Sequence, residues 1–131
     1  MSRGFLIFCA LVYAGFGLWV LVSPDSGLAY LTIGLDHVNA MSDLRGSYGG
    51  LNIAVGLFLF FAAASSGWRR AGLGLVALLN GGYVFGRLVS LVVDGTPGQA
   101  ILIAMAFEAA LVVTASVLAT RETSSIAPSR G

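Results

Sequence analysis

An all-α membrane protein, a four-transmembrane-helix bundle with both termini cytoplasmic, is the fold class that the sequence predicts, and three observations predict it. Hydrophobic residues make up 57% of the 131 and charged ones only 10%, with a mean hydropathy of +0.91. That leaves too little polar surface for a soluble chain of this size, so lipid must cover much of it. The apolar residues gather into four stretches, each close to the ~20 residues that cross ~30 Å of hydrocarbon. The connections between them carry basic residues on one side and acidic residues on the other.

The first span covers residues 4–22, preceded by Arg3 and closed by the turn Ser23-Pro24-Asp25. Its apolar run is long for a signal-peptide core and no small-x-small cleavage site follows, so it reads as a retained helix. The second span covers 47–64 and ends at Ser65-Ser66-Gly67, the third covers 71–93, and the fourth covers 97–119 beyond the turn Asp94-Gly95-Thr96-Pro97. Pro97 suits a first helical turn, where its missing N–H is harmless. Between the first two spans, Leu28, Leu31, Leu35 and Val38 recur at near-helical spacing and suggest a short helix on the membrane surface, while Gly34 speaks for an irregular capping loop instead. Residues 1–119 form one transmembrane domain, and 120–131 read as a disordered cytoplasmic tail.

Four spans place both termini and the middle connection on one side, with Arg3, Arg69, Arg70, Arg121 and Arg130. The other side carries Arg45 against Asp25, Asp36, Asp43 and Asp94. By the positive-inside rule the arginine-rich side faces the cytoplasm, which gives a multi-pass protein of the bacterial inner membrane. Trp19 and Trp68 fall near span ends, as interfacial aromatics do.

Two ionisable residues, Arg87 and Glu108, sit well inside apolar spans. Each costs roughly 2.5–3.5 kcal/mol at a helix centre on insertion scales, so both should face protein or water and find partners. On the third span Asn80, Tyr83, Arg87, Ser90 and Asp94 fall within an arc of roughly 80°, a single polar stripe. Gly82 and Gly86 flank it as a small-xxx-small pair, which predicts a stripe turned towards the bundle interior. On the fourth span Glu108 shares a face with Ala104, Ala115 and Ala119, and on the second Tyr48, Asn52 and Gly56 align. Rise per residue puts Arg87 about 10 Å and Glu108 about 16 Å from the outer end, level with Asn52 and Tyr83 respectively. Arg87 is expected to snorkel outward to Asp94 or Asp43, making an outward-leaning cluster of Asp43, Arg45, Tyr48, Asn52, Asn80, Tyr83, Arg87, Asp94 and Glu108 rather than a simple ion pair. Buried polar side chains in membrane bundles also serve only to fix helix pairing, and that reading stands beside a ligand site and a docking site.

Other classes lack their parts. A net charge of +1 leaves no basic stripe for nucleic acid. One cysteine and one histidine supply neither a disulfide nor a multi-residue metal site, so no metal or cofactor is implied. Cys9 reads as packing, and His37, beside Asp36, as a solvated loop residue. The glycines, among them Gly15, Gly17, Gly49, Gly50, Gly72 and Gly74, read as close helix packing, and none sits in a phosphate-cradling loop. With no nucleophile–base pair or paired carboxylates, the chain is not read as an enzyme.

The run Asp43-Leu44-Arg45-Gly46-Ser47-Tyr48-Gly49-Gly50-Leu51, with Gly86-Arg87-Leu88 through Asp94-Gly95 and Glu108 on the last span, resembles a bacterial membrane family. It is the domain of unknown function family numbered 4345, similar in layout to the DoxX-like four-helix proteins. The resemblance spans Arg3 to about Ala119. It implies four transmembrane helices, no assigned activity, and Arg45, Tyr48, Arg87 and Glu108 as the family-type polar positions. The DoxX-like layout implies quinone or thiol-redox association, to which this chain brings no Cys-x-x-Cys pair. The expected function is a non-enzymatic accessory or self-associating bundle, partnered by the bilayer, another membrane protein or a second copy. The alternative is binding or transport of a small lipophilic ligand, of lipid or quinone type, in an outer-half polar cavity.

Overall fold

The computed structural model describes residues 1–29 and 38–126, with side chains described as far as Glu122. Among them no strand occurs. Helix α1 spans Ser2–Val22, a single turn α2 Pro24–Gly27, α3 Val38–Leu44, α4 Leu51–Ala64, α5 Arg69–Val93 and α6 Gln99–Ile126. A π-helical segment, Arg45–Gly50, joins α3 to α4. The continuous run Val38–Ala64, with α1, α5 and α6, makes four helices long and apolar enough to cross a membrane.

Several boundaries differ from the hydropathy pattern, α1 and α5 only by starting two residues early, at Ser2 and Arg69. The second span begins before Ser47, because Gly46, Gly49 and Gly50 let the backbone take an extra residue into the turn instead of stopping the helix. Pro97 lies outside α6, whose first turn is closed by Ile101 N–H and Leu102 N–H on the Gly98 carbonyl. Helix α6 also runs past Ala119 to Ile126, through Arg121 and Glu122, which prolong a helix although they are not apolar. Leu31, Gly34, Leu35, Asp36 and His37, and the tail from residue 127, lie outside the described residues.

Helices α1 and α4 pack antiparallel along their length, as do α5 and α6, and the two pairs meet chiefly through α4, α1 and α5. Helices apolar on all sides meet most closely where small residues let their backbones approach. A Cβ on Gly17 would lie 2.6 Å from Gly49 O, one on Gly56 2.8 Å from Ala14 N, and one on Gly72 2.7 Å from the Ala62 Cβ. Gly15 and Gly74, by contrast, face open space.

The main core fills the half of the bundle that holds the start of α1. There Leu6, Cys9, Ala10, Leu59, Leu73, Val76, Leu111 and Ala115 are buried. A smaller cluster at the far end joins Val20 and Leu28 to Leu44, with Phe16 and Tyr48 against it. It ties α1 to the π-helical segment but not to α5, so between the two clusters the α1–α4 pair and the α5–α6 pair part. The α5–α6 turn at that end needs Gly95, whose φ of +97° an L side chain rarely adopts. Around the outside, Leu11, Leu57, Leu78, Phe85, Val92, Ile103 and Val113 are exposed, an apolar exterior on every helix.

Candidate functional site

A cavity of about 220 Å³ lies where the two helix pairs part. Its floor is a buried hydrogen bond between α5 and α1. The Asn80 amide Nδ2 donates to the Tyr13 hydroxyl at 2.9 Å and to the Val76 carbonyl at 2.7 Å, which uses both its hydrogens. Asn80 is 3% exposed and Tyr13 7%, and in such surroundings each polar group is costly unless bonded. Gly72, Leu73 and Val76 fall on the azimuth of the polar stripe at 100° per residue, so the same arc of α5 that packs in the core turns polar above it.

Opposite, the α4 wall presents Asn52, which is buried, and Tyr48, which is half-buried. Asn52 Nδ2 donates to Tyr48 O at 2.8 Å, bonding the end of the π-helical segment to the first turn of α4. Gly56 continues this face into contact with α1, as the Tyr48–Asn52–Gly56 alignment predicts.

The remaining wall is an ion pair. Arg87 on α5 gives Nε to Glu108 Oε2 and Nη2 to Oε1, both at 2.9 Å, a bidentate fork. The two side chains keep 21% and 13% exposure. This corrects the expected outward snorkel. A two-pronged bond to the carboxylate satisfies both charges at once, and the arginine stem spans the difference in depth between the two helices. Asp94 is taken instead by the Ser90 hydroxyl, which donates to its Oδ2 at 2.8 Å at the exposed end of the stripe. Among the described residues, Arg87 Nη1 and the hydroxyls of Tyr48 and Tyr83 have no hydrogen-bond partner.

Tyr48, Asn52, Asn80, Tyr83, Arg87 and Glu108 therefore line one cavity. Asp43 and Arg45 do not. Both are exposed, and Asp43 lines a separate surface depression with Asn39, Ser42 and Ser47. The Gly82–Gly86 pair departs from expectation too: nothing lies within 4 Å of either, because they stand beside the inward arc and not in it. Sequence reasoning missed Tyr13, Phe16 and Phe107, which complete the cavity. For Tyr13 a signal existed, since a hydroxyl in the middle of an apolar span must find a partner. The phenylalanines carried none. No group of three or more His, Cys, Asp or Glu that could hold a metal occurs among the described residues.

In comparison with known proteins, a family model described as "Domain of unknown function (DUF4345)" matches residues 1–119. Neither the curated proteins nor the solved structures gave a match.

Proposed function

We propose, from the premise that this chain belongs to the DUF4345 family, that it is a multi-pass protein of the bacterial cytoplasmic membrane that binds a small lipophilic molecule. The membrane reading rests on four helices long enough to span and an apolar exterior. The arginines at the α4–α5 turn and near both ends of the chain support cytoplasmic termini by the positive-inside rule. The cavity then lies in the outer half of the bilayer.

One observation carries the binding reading. An arginine–glutamate pair, two asparagines and three tyrosines converge on one cavity within an otherwise apolar bundle. Pockets of mostly apolar wall with a few convergent polar groups are where small ligands bind. Polar groups that open onto such a cavity are placed to bond a bound molecule or water. The test is co-purification. Wild-type protein taken from bacterial membranes in mild detergent should carry a small lipophilic molecule, found by mass spectrometry of its organic extract. The double variant Arg87→Leu/Glu108→Leu should lose it while staying folded. Equal recovery from both would leave the cluster a purely structural device.

A second reading, a self-associating or accessory bundle, is favoured by the outward face of α5. Gly82 and Gly86 are open there, with Phe85 70% and Val92 85% exposed beside them. Small residues let a second helix approach closely. Gly82→Leu/Gly86→Leu should then shift the protein towards monomer in detergent light scattering, and an unchanged mass would remove this reading.

A further inference from the structure

We infer that the ligand of the Arg87–Glu108 cavity is an uncharged, flat-ring compound carrying a hydrogen-bonding oxygen. The inference rests on the binding reading above and adds the chemistry of the occupant. Three features of the cavity, each independent of the others, select it.

The first is size. A cavity of about 150 Å³ lined by apolar side chains takes up benzene. At about 220 Å³ this one, partly open, has room within its walls for a fused or substituted ring. The second is wall chemistry. Tyr13, Phe16, Tyr48, Tyr83 and Phe107 come from α1, the π-helical segment, α5 and α6 and surround the space with aromatic rings. Aromatic walls favour a flat partner that can stack or meet them edge to face.

The third is charge. Glu108 occupies Nε and Nη2 of Arg87 through both its oxygens, so the pair presents no net charge to the cavity. A carboxylate or phosphate on the remaining Arg87 N–H groups would put a second anion beside Glu108 in apolar surroundings with no cation to balance it, and an ammonium would put a second cation beside Arg87. A neutral oxygen does neither. Arg87 Nη1 still offers N–H donors, and the Tyr48 and Tyr83 hydroxyls have no partner among the described residues. The Tyr13 hydroxyl already accepts from Asn80, which leaves its proton to donate. The Asn52 and Asn80 amide oxygens line the same cavity as acceptors, so a hydroxyl oxygen, which both donates and accepts, matches the lining.

The experiment uses three probes of one ring size with the full chain in nanodiscs: naphthalene, 2-naphthol and 2-naphthoate. Binding is measured by calorimetry as the difference from Ala104→Phe, which fills the cavity and so subtracts partition into lipid. The wild type should bind 2-naphthol about tenfold more tightly than either of the others. Glu108→Gln, which frees the Arg87 charge, should reverse the order in favour of 2-naphthoate. Should Glu108→Gln not fold, the wild-type order decides alone. Ala104-dependent binding with 2-naphthoate tightest, or with all three equal, overturns this inference and leaves the cavity a binding site. No Ala104-dependent binding by any probe overturns both.

Discussion

At Arg87 the guanidinium gives two N–H groups to one carboxylate, and that geometry governs what each partner is worth. Removing one member of a buried ion pair strands the other and costs about 3–5 kcal/mol when burial is complete. With 21% and 13% of the side chains exposed, part of that is recovered from the surroundings, and Arg87→Leu or Glu108→Leu alone should each lose on the order of 2 kcal/mol. Removing both leaves no stranded charge. The double variant should lose less than the sum, with a coupling of about 1–2 kcal/mol, near the upper end for polar contacts in membrane bundles. Unfolding in mixed micelles would measure the cycle, and additive losses would show that the two side chains do not depend on each other. The same logic explains Tyr13 and Asn80, whose hydrogen bond fixes the cavity floor because it gives the buried Tyr13 hydroxyl its partner there.

Among the elements, the π-helical segment and the glycines of α1 and α4 determine how close the backbones come. The α1–α4 contact is tightest where Gly17 meets Gly49 O and Ile53 N, both rigid backbone atoms. Gly17→Ala places a Cβ 2.6 Å from the first and 2.8 Å from the second, so the helices must move apart, at a cost of about 1–3 kcal/mol. Gly15→Ala on the same helix meets nothing within 4 Å and should be neutral or stabilising by up to about 1 kcal/mol. Thermal melting of the two variants side by side checks this, and equal losses would mean that α1 packs in some other way. The α5 stripe belongs to this scale as well. Its azimuth was legible from the spacing of Asn80, Tyr83, Arg87, Ser90 and Asp94, and the core residues Gly72, Leu73 and Val76 lie on the same arc. That the stripe ends exposed at Ser90 and Asp94 was not legible, because periodicity gives direction around a helix and says nothing of how far its neighbour extends.

For the whole molecule, the proposed orientation rests on the alternation of charged ends. The α4–α5 turn lies beside Arg69 and Arg70, and the α5–α6 turn follows Asp94. Cysteines placed at the exposed positions Ser66 and Thr96 should therefore differ: Thr96→Cys is labelled by an impermeant maleimide on intact spheroplasts, and Ser66→Cys only after lysis. The native Cys9, 1% exposed, stays silent in both. Labelling of Ser66→Cys from outside would invert the topology and move the cavity to the cytoplasmic half.

By itself the sequence determined what is local. Four apolar runs near membrane thickness, the turns between them, and the polar arc of α5 follow from hydropathy and a 100° period, which neighbouring residues alone establish. Tertiary structure decided what depends on distance between helices. It paired α1 with α4 through Gly17 and Gly56, left Gly82 and Gly86 open, and brought Tyr13 from the first span beneath Asn80 from the third. It also turned Arg87 inward to Glu108 and away from Asp94. The reason is physical: a side chain's partner depends on the approach and relative depth of two backbones, and no periodicity within one span encodes either.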